Sequence, residues 1–144
     1  METLIDRYFA AVDDKRLDAE TVAATFAPDG LIRRPDGFEL VGHDVILAEQ
    51  NQSFARFRAT HHMFTNCLVD QDDDTARLRT NMQAVHIWDP ERNDPLELDT
   101  HFVGGGVLTA VAVRTPDGWR LREMGMRLVW RTGSVLPMLK GLRH

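Results

Sequence analysis

The 144-residue sequence contains one cysteine, Cys67, so no disulfide can close within the chain. Without a second cysteine or a paired Cys/His spacing, no structural zinc site is indicated either. No stretch approaches the roughly 18 consecutive apolar residues of a transmembrane helix. The opening METLIDRYFAAVDD carries acids at Glu2 and Asp6, with neither a basic lead nor a small-residue cleavage site, and does not read as a signal peptide. A cytoplasmic protein with no membrane partner is the expectation. Positive charge is also scarce: Lys15 and Lys140 are the lysines, and 17 Lys plus Arg against 22 Asp plus Glu leave a net charge of −5. A surface that is negative on average excludes binders that depend on general attraction to phosphate backbones, so no nucleic-acid partner is expected. Internal repeats and low-complexity tracts are lacking.

What remains is ordinary globular composition, 43% hydrophobic and 27% charged, at a length that suits one domain. We place that domain at 1–133 and read 134–144 as a loosely attached tail. Leu4, Ile5, Tyr8, Phe9 and Val12 recur with helical period and predict an amphipathic helix ending near Asp14. Asp18 is a good N-cap for a second helix running through Val22 and Phe26 to a turn at Pro28-Asp29-Gly30. A short hairpin, Leu31–Arg34 and Phe38–Val41, surrounds Pro35-Asp36-Gly37, and Asp44 is expected to cap a third helix reaching about Arg58. From Thr60 the pattern turns to alternation. Four strand-like runs follow, Thr60–Val69, Thr75–Trp88, Leu96–Arg114 and Trp119–Arg131, which predict sequential antiparallel pairing. Gly104-Gly105-Gly106 marks a bulge that lets the sheet curl, and a parity change between Leu121 and Met124 implies another. The fold class is α+β, helices first and sheet second.

Alternation assigns faces. In the second long strand Ala76, Leu78, Thr80, Met82, Ala84, His86 and Trp88 form the buried set, opposed by Arg77, Arg79, Asn81 and Gln83. In the strand before it, His62, Phe64, Asn66 and Leu68 stand against His61, Met63, Thr65, Cys67 and Val69, and polarity leaves both orientations open. On the first helix Ile5, Phe9 and Asp13 lie at steps of four, so Asp13 carries the apolar stripe into a carboxylate that points inward. A carboxylate beside one or two histidines in an apolar concavity suits proton transfer: burial moves the pKa values, and the acid fixes one imidazole tautomer so that the other nitrogen becomes a base. No metal is needed, and the tight spacing of a metal motif is missing among His62, His86 and Asp13.

The segments Tyr8-Phe9-Ala10-Ala11-Val12-Asp13, Phe26-Ala27-Pro28-Asp29-Gly30, Gly42-His43-Asp44-Val45-Ile46, Thr60-His61-His62-Met63 and Asp117-Gly118-Trp119-Arg120-Leu121 resemble the SnoaL-like families of the nuclear transport factor 2-like superfamily. The resemblance implies a cone of strongly curved antiparallel sheet closed by three N-terminal helices. It also implies a pocket in the mouth of the cone and a homodimer or homotrimer formed through the sheet. Within the superfamily the pattern is most similar to scytalone dehydratase and hexachlorocyclohexane dehydrochlorinase, whose Asp at the end of the first helix and His early in the strand after the third helix match Asp13 and His62. His86 matches a further histidine of the dehydratase. Val12 stands where the dehydratase has Tyr, and Tyr8 and the Met124 region lack the Lys and Arg of the dehydrochlorinase, so the dehalogenating set is incomplete.

The resemblance thus implies a cofactor-free lyase or isomerase acting on a small, apolar, ring-containing substrate. His62 removes a proton next to a carbonyl, Asp13 orients it, and His86 or Tyr8 holds or protonates the departing oxygen. Phe9, Phe64, Met82, Trp88 and Met124 are the expected pocket walls. The blander readings make His86 a satisfied core imidazole, Tyr8 a core aromatic, and His61, His43 and His101 surface groups. A non-catalytic ligand-binding or assembly module with the same cone, or a polyketide-type cyclase using Asp13 alone, are the competing functions.

Overall fold

The stripe read on the first helix forms its buried side: Ile5, Tyr8, Phe9 and Val12 of α1 (Glu2–Asp13) enter the main core, while Asp6, Arg7 and Ala10 face water. The computed structural model describes residues 2–89 and 100–133; the tail expected at 134–144 and the first residues of the third strand-like run lie outside them. After α1 come α2 (Ala19–Thr25), β1 (Phe26–Arg33), β2 (Glu39–Val41), α3 (His43–Phe54), β3 (Phe57–Asp72), β4 (Thr75–Trp88), β5 (His101–Thr115) and β6 (Gly118–Gly133). Asp18 caps α2 as expected, its carboxylate accepting from the Thr21 N–H at 2.8 Å.

One six-stranded sheet, ordered β2-β1-β6-β5-β4-β3, carries the rest. β3 to β6 pair sequentially and antiparallel, whereas β1 joins β6 in parallel. The two bulges expected from the glycine triplet and the parity change are present, as register shifts at Gly105/Gly106 and at Val111/Ala112. Two more fall in the β3–β4 pair, between Phe57 and Ala59 and between Thr65 and Leu68, where Asn66 adopts φ +57°. Such irregularities bend and twist a sheet, and these four give the curl that makes one face concave. On β4 the even positions from Ala76 to Ala84 are buried against the helices, as their alternation predicts.

Four local expectations are corrected. Phe26 opens β1 instead of closing α2, and Pro28-Asp29-Gly30 runs inside β1 across a register shift to β6. The shift accommodates a proline without an N–H, and a Cβ on Gly30 would stand 2.9 Å from the carbonyl oxygens of both Ala27 and Leu121. α3 ends at Phe54, four residues early, because Phe57 already pairs with Trp88. Its N-cap is Gly42 at φ +90°, without a side-chain cap, and Asp44 sits inside the first turn. His43 is half-buried, its Nε2 2.8 Å from the Phe26 carbonyl oxygen, and is not a surface group.

Candidate active site

Asp13 is the last helical residue of α1, and the chain closes behind it in a defined way. The Arg16 N–H donates to the Ala11 carbonyl at 2.9 Å and the Lys15 N–H to the Val12 carbonyl at 3.1 Å, with Lys15 at φ +55°. This is the helix-ending motif that usually places glycine at the left-handed position. Here the lysine has a second task. Its Nζ donates to the Phe57 carbonyl at 2.7 Å, tying the end of α1 to the start of β3.

That tie brings three donors to one carboxylate. The His62 ring places Nδ1 2.6 Å from Asp13 Oδ1, the His62 backbone N–H donates to Oδ2 at 2.9 Å, and the Thr60 hydroxyl donates to Oδ1 at 2.8 Å. Burial pushes the Asp13 carboxyl up, yet the His62 ring and backbone hydrogen bonds, the charge of that ring and the Thr60 hydroxyl together outweigh it. The carboxyl consequently lies below its ordinary value and is ionised at neutral pH. An ionised carboxylate can only accept, so His62 Nδ1 carries a proton, and of the two ring nitrogens only Nε2 is left to act as a base. The His62 side chain is 3% exposed and that of Asp13 16%, which shields the pair from bulk water.

Aromatic rings surround this imidazole. Phe9 lies 4.6 Å from it between centroids, His86 5.9 Å and Phe54 6.0 Å, and Phe64 packs behind Phe9 at 5.1 Å. His86 is stacked on Phe102 at 4.0 Å and 8°, beside Phe57, and its Nδ1 is buried without a hydrogen-bond partner. Burial, and after it the charge of His62, push its pKa down to about 4. His86 is therefore a neutral imidazole throughout the physiological range. An imidazole that is neutral when folded opposes acid: between the ordinary histidine value near 6.5 and about 4, the unfolded chain binds a proton that the folded chain does not. Stability should fall as pH drops through this window, ahead of any loss through Asp13, whose contribution disappears only below its depressed value. Urea midpoints measured from pH 7 to 4 should show the slope, and His86→Phe should flatten it.

The remaining expected residues are distributed unevenly. Tyr8 is fully buried, edge-on to Phe9 and Phe26, and its hydroxyl accepts from Gln50 Nε2 at 2.8 Å. Burial raises its pKa despite that bond. Met82 and Met124 lie in the main core, while Trp88 belongs to a second cluster with Phe57 and Phe102. Thr60 and Lys15 were not anticipated. Thr60 could have been found two residues before His62 on the same strand face; no local signal marks Lys15. A pocket of about 320 Å³ opens between the ends of α1 and α3, lined by Val12, Lys15, Leu17, Asn51, Phe54 and Ala55. Phe54 is thus shared between this pocket and the ring cage of His62. Among the described residues no group of three or more His, Cys, Asp or Glu is placed to hold a metal, and no helix is long and apolar enough to cross a membrane.

Known proteins agree with this architecture. A protein from Kribbella flavida superposes with a TM-score of 0.81 at 25% identity, covering 90% of this chain and 88% of its own. A candidate scytalone dehydratase from Novosphingobium aromaticivorans gives 0.76 at 21% identity, over 92% of this chain and 84% of its own. A type 2 hexachlorocyclohexane dehydrochlorinase gives 0.74 at 13% identity, over 92% and 88%. None of the curated proteins compared with the chain matches it in sequence. Likeness at the lower identities speaks for the fold alone, the curled sheet with three helices of the nuclear transport factor 2-like fold. Residues 1–125 match the SnoaL-like domain family, and the chain therefore belongs to that family.

Proposed function

We propose that the protein is a cofactor-free lyase or isomerase that removes a proton next to a carbonyl of a small, apolar, ring-containing substrate. One observation carries the reading: the 2.6 Å contact between His62 Nδ1 and Asp13 Oδ1, on a carboxylate already held by two further donors. It presents Nε2 as a general base of fixed tautomer in a cage of aromatic rings. In the proposed reaction Nε2 takes the proton, and the C–H bonding pair moves toward the carbonyl to form an enolate. The nearby Asp13 carboxylate stabilises the imidazolium thus formed. In elimination the enolate pair expels the β-hydroxyl, which leaves as water with the proton from His62; in isomerisation the same proton returns to another carbon. His86, neutral and with one nitrogen unpartnered, is assigned to the departing or enolic oxygen, in preference to Tyr8, whose hydroxyl already accepts from Gln50.

The second reading, a module that binds a ligand without turning it over, is favoured by one feature: the pocket beside Phe54 is not lined by Asp13 or His62. Deuterium exchange separates the two. Incubated in D2O with cyclic β-hydroxyketones and enones, the protein should wash deuterium into the carbon next to the carbonyl, or release water, faster than buffer alone. Binding of these probes with neither exchange nor elimination would establish the module and refute the enzyme.

A further inference from the structure

A general base works only within about 2.6–3.2 Å of the proton it takes, so His62 must touch its substrate. Its side chain is nevertheless 3% exposed, and rings pack around it. One of those rings has to give way. Phe9 is buried in the main core and His86 is stacked on Phe102, and neither lines the pocket of about 320 Å³ between the ends of α1 and α3. Phe54 does line it. This residue is half-buried, its ring stands edge-on to His62 at 6.0 Å and 77°, and it packs against both apolar clusters. The pocket and the imidazole therefore meet at one aromatic side chain.

The backbone around that side chain is pinned on both sides. The Ala55 N–H donates to the Asn51 carbonyl at 3.0 Å and Arg56 Nε to the Ser53 carbonyl at 3.0 Å. Lys15 Nζ donates to the Phe54 carbonyl at 3.4 Å and to that of Phe57 at 2.7 Å. Movement here consequently falls to the side-chain torsions of Phe54 and not to the end of α3, and rotamer changes at partly exposed residues are fast. The pocket supplies the space for such a swing. Its volume stands at the small end of ligand sites, which run from about 300 to 1,000 Å³. Val12, Leu17, Phe54 and Ala55 make its walls apolar. Lys15 Nζ has three N–H groups, and after serving two carbonyls it keeps one for an acceptor oxygen. An apolar chamber of this size with one spare donor fits a ketone of one or two rings.

We propose that this pocket is the entrance to the candidate active site and that Phe54 is its gate, a specificity residue whose ring swings aside to pass an uncharged one- or two-ring ketone to His62. The inference rests on the Asp13–His62 reading, but its test needs no turnover. The full-length chain is treated with diethyl pyrocarbonate, which acylates unprotonated imidazole nitrogens, and each histidine is followed by tandem mass spectrometry. His101, exposed on β5, sets the rate of a freely accessible ring, and half-buried His43, whose Nε2 lies 2.8 Å from the Phe26 carbonyl oxygen, reports any general loosening of the helices. An open state populated at about 0.1–10% slows access by the inverse of that fraction. Phe54→Ala should therefore speed His62 modification about tenfold or more relative to His101, with His43 unchanged. Ala55→Trp, at an exposed position on the pocket wall, fills the chamber without touching the ring cage and should slow it. The ketone 1-tetralone should protect His62 in the parent protein and lose that effect in Ala55→Trp. A His62 rate indifferent to both substitutions, or one that rises only in step with His43, overturns the gate. Protection by 1-tetralone without deuterium exchange into it would refute the enzyme and leave the entrance standing.

Discussion

Replacing His62 with glutamine is expected to lower proton exchange and turnover by about 10²–10⁴-fold, the usual contribution of a positioned general base. The folded state should survive. Glutamine keeps an amide N–H that can reach Asp13, while the backbone N–H of residue 62 and the Thr60 hydroxyl still satisfy the carboxylate. The replacement gives up ring packing against Phe9 and Phe54, a loss on the order of 1–2 kcal/mol. Circular dichroism should accordingly be native-like while catalysis collapses. Undiminished turnover with this variant, combined with inactivity of an Asp13 variant, would instead identify Asp13 as the sole base, as in a cyclase.

Asp13→Asn should do more damage, because it strikes chemistry and structure together. An amide offers one oxygen to three donors and turns its own N–H2 toward at least one of them. A buried donor left without an acceptor costs about 1–3 kcal/mol, so the urea midpoint should fall clearly below that of His62→Gln. In catalysis the loss of a carboxylate that holds a histidine tautomer is worth up to about 10⁴-fold. If the two residues act as a unit, the double variant should be scarcely slower than Asp13→Asn alone. Effects that multiplied in full would show that the pair does not work together.

How much of this could be read from the residues differs from strand to strand. On β4 one face is apolar from Ala76 to Ala84, so alternation identified the buried side without help. On β3 it could not: Thr60, His62 and Phe64 mix polar and apolar groups on the inner face, and the outer row of His61, Met63 and Thr65 is no more polar. Asp13 was legible because its helix repeats every four residues from Ile5. The donors that hold it come from 47 and 49 residues away, a separation no local pattern encodes. The same limit explains β1: the turn signal at Pro28-Asp29-Gly30 is genuine, but a parallel partner from the far end of the chain, β6, overrides it.

The lysine behind Asp13 shows what such long-range ties imply for anyone trying to improve the protein. At φ +55° a non-glycine residue carries strain of roughly 1–2 kcal/mol, and Lys15→Gly is the substitution that stability engineering would choose first. It would relax the backbone and at the same time cut the Nζ tether to the Phe57 carbonyl that sets α1 against β3. Strain at this position is the counterpart of alignment two residues away, and a more stable variant obtained there would be a less well-aimed one.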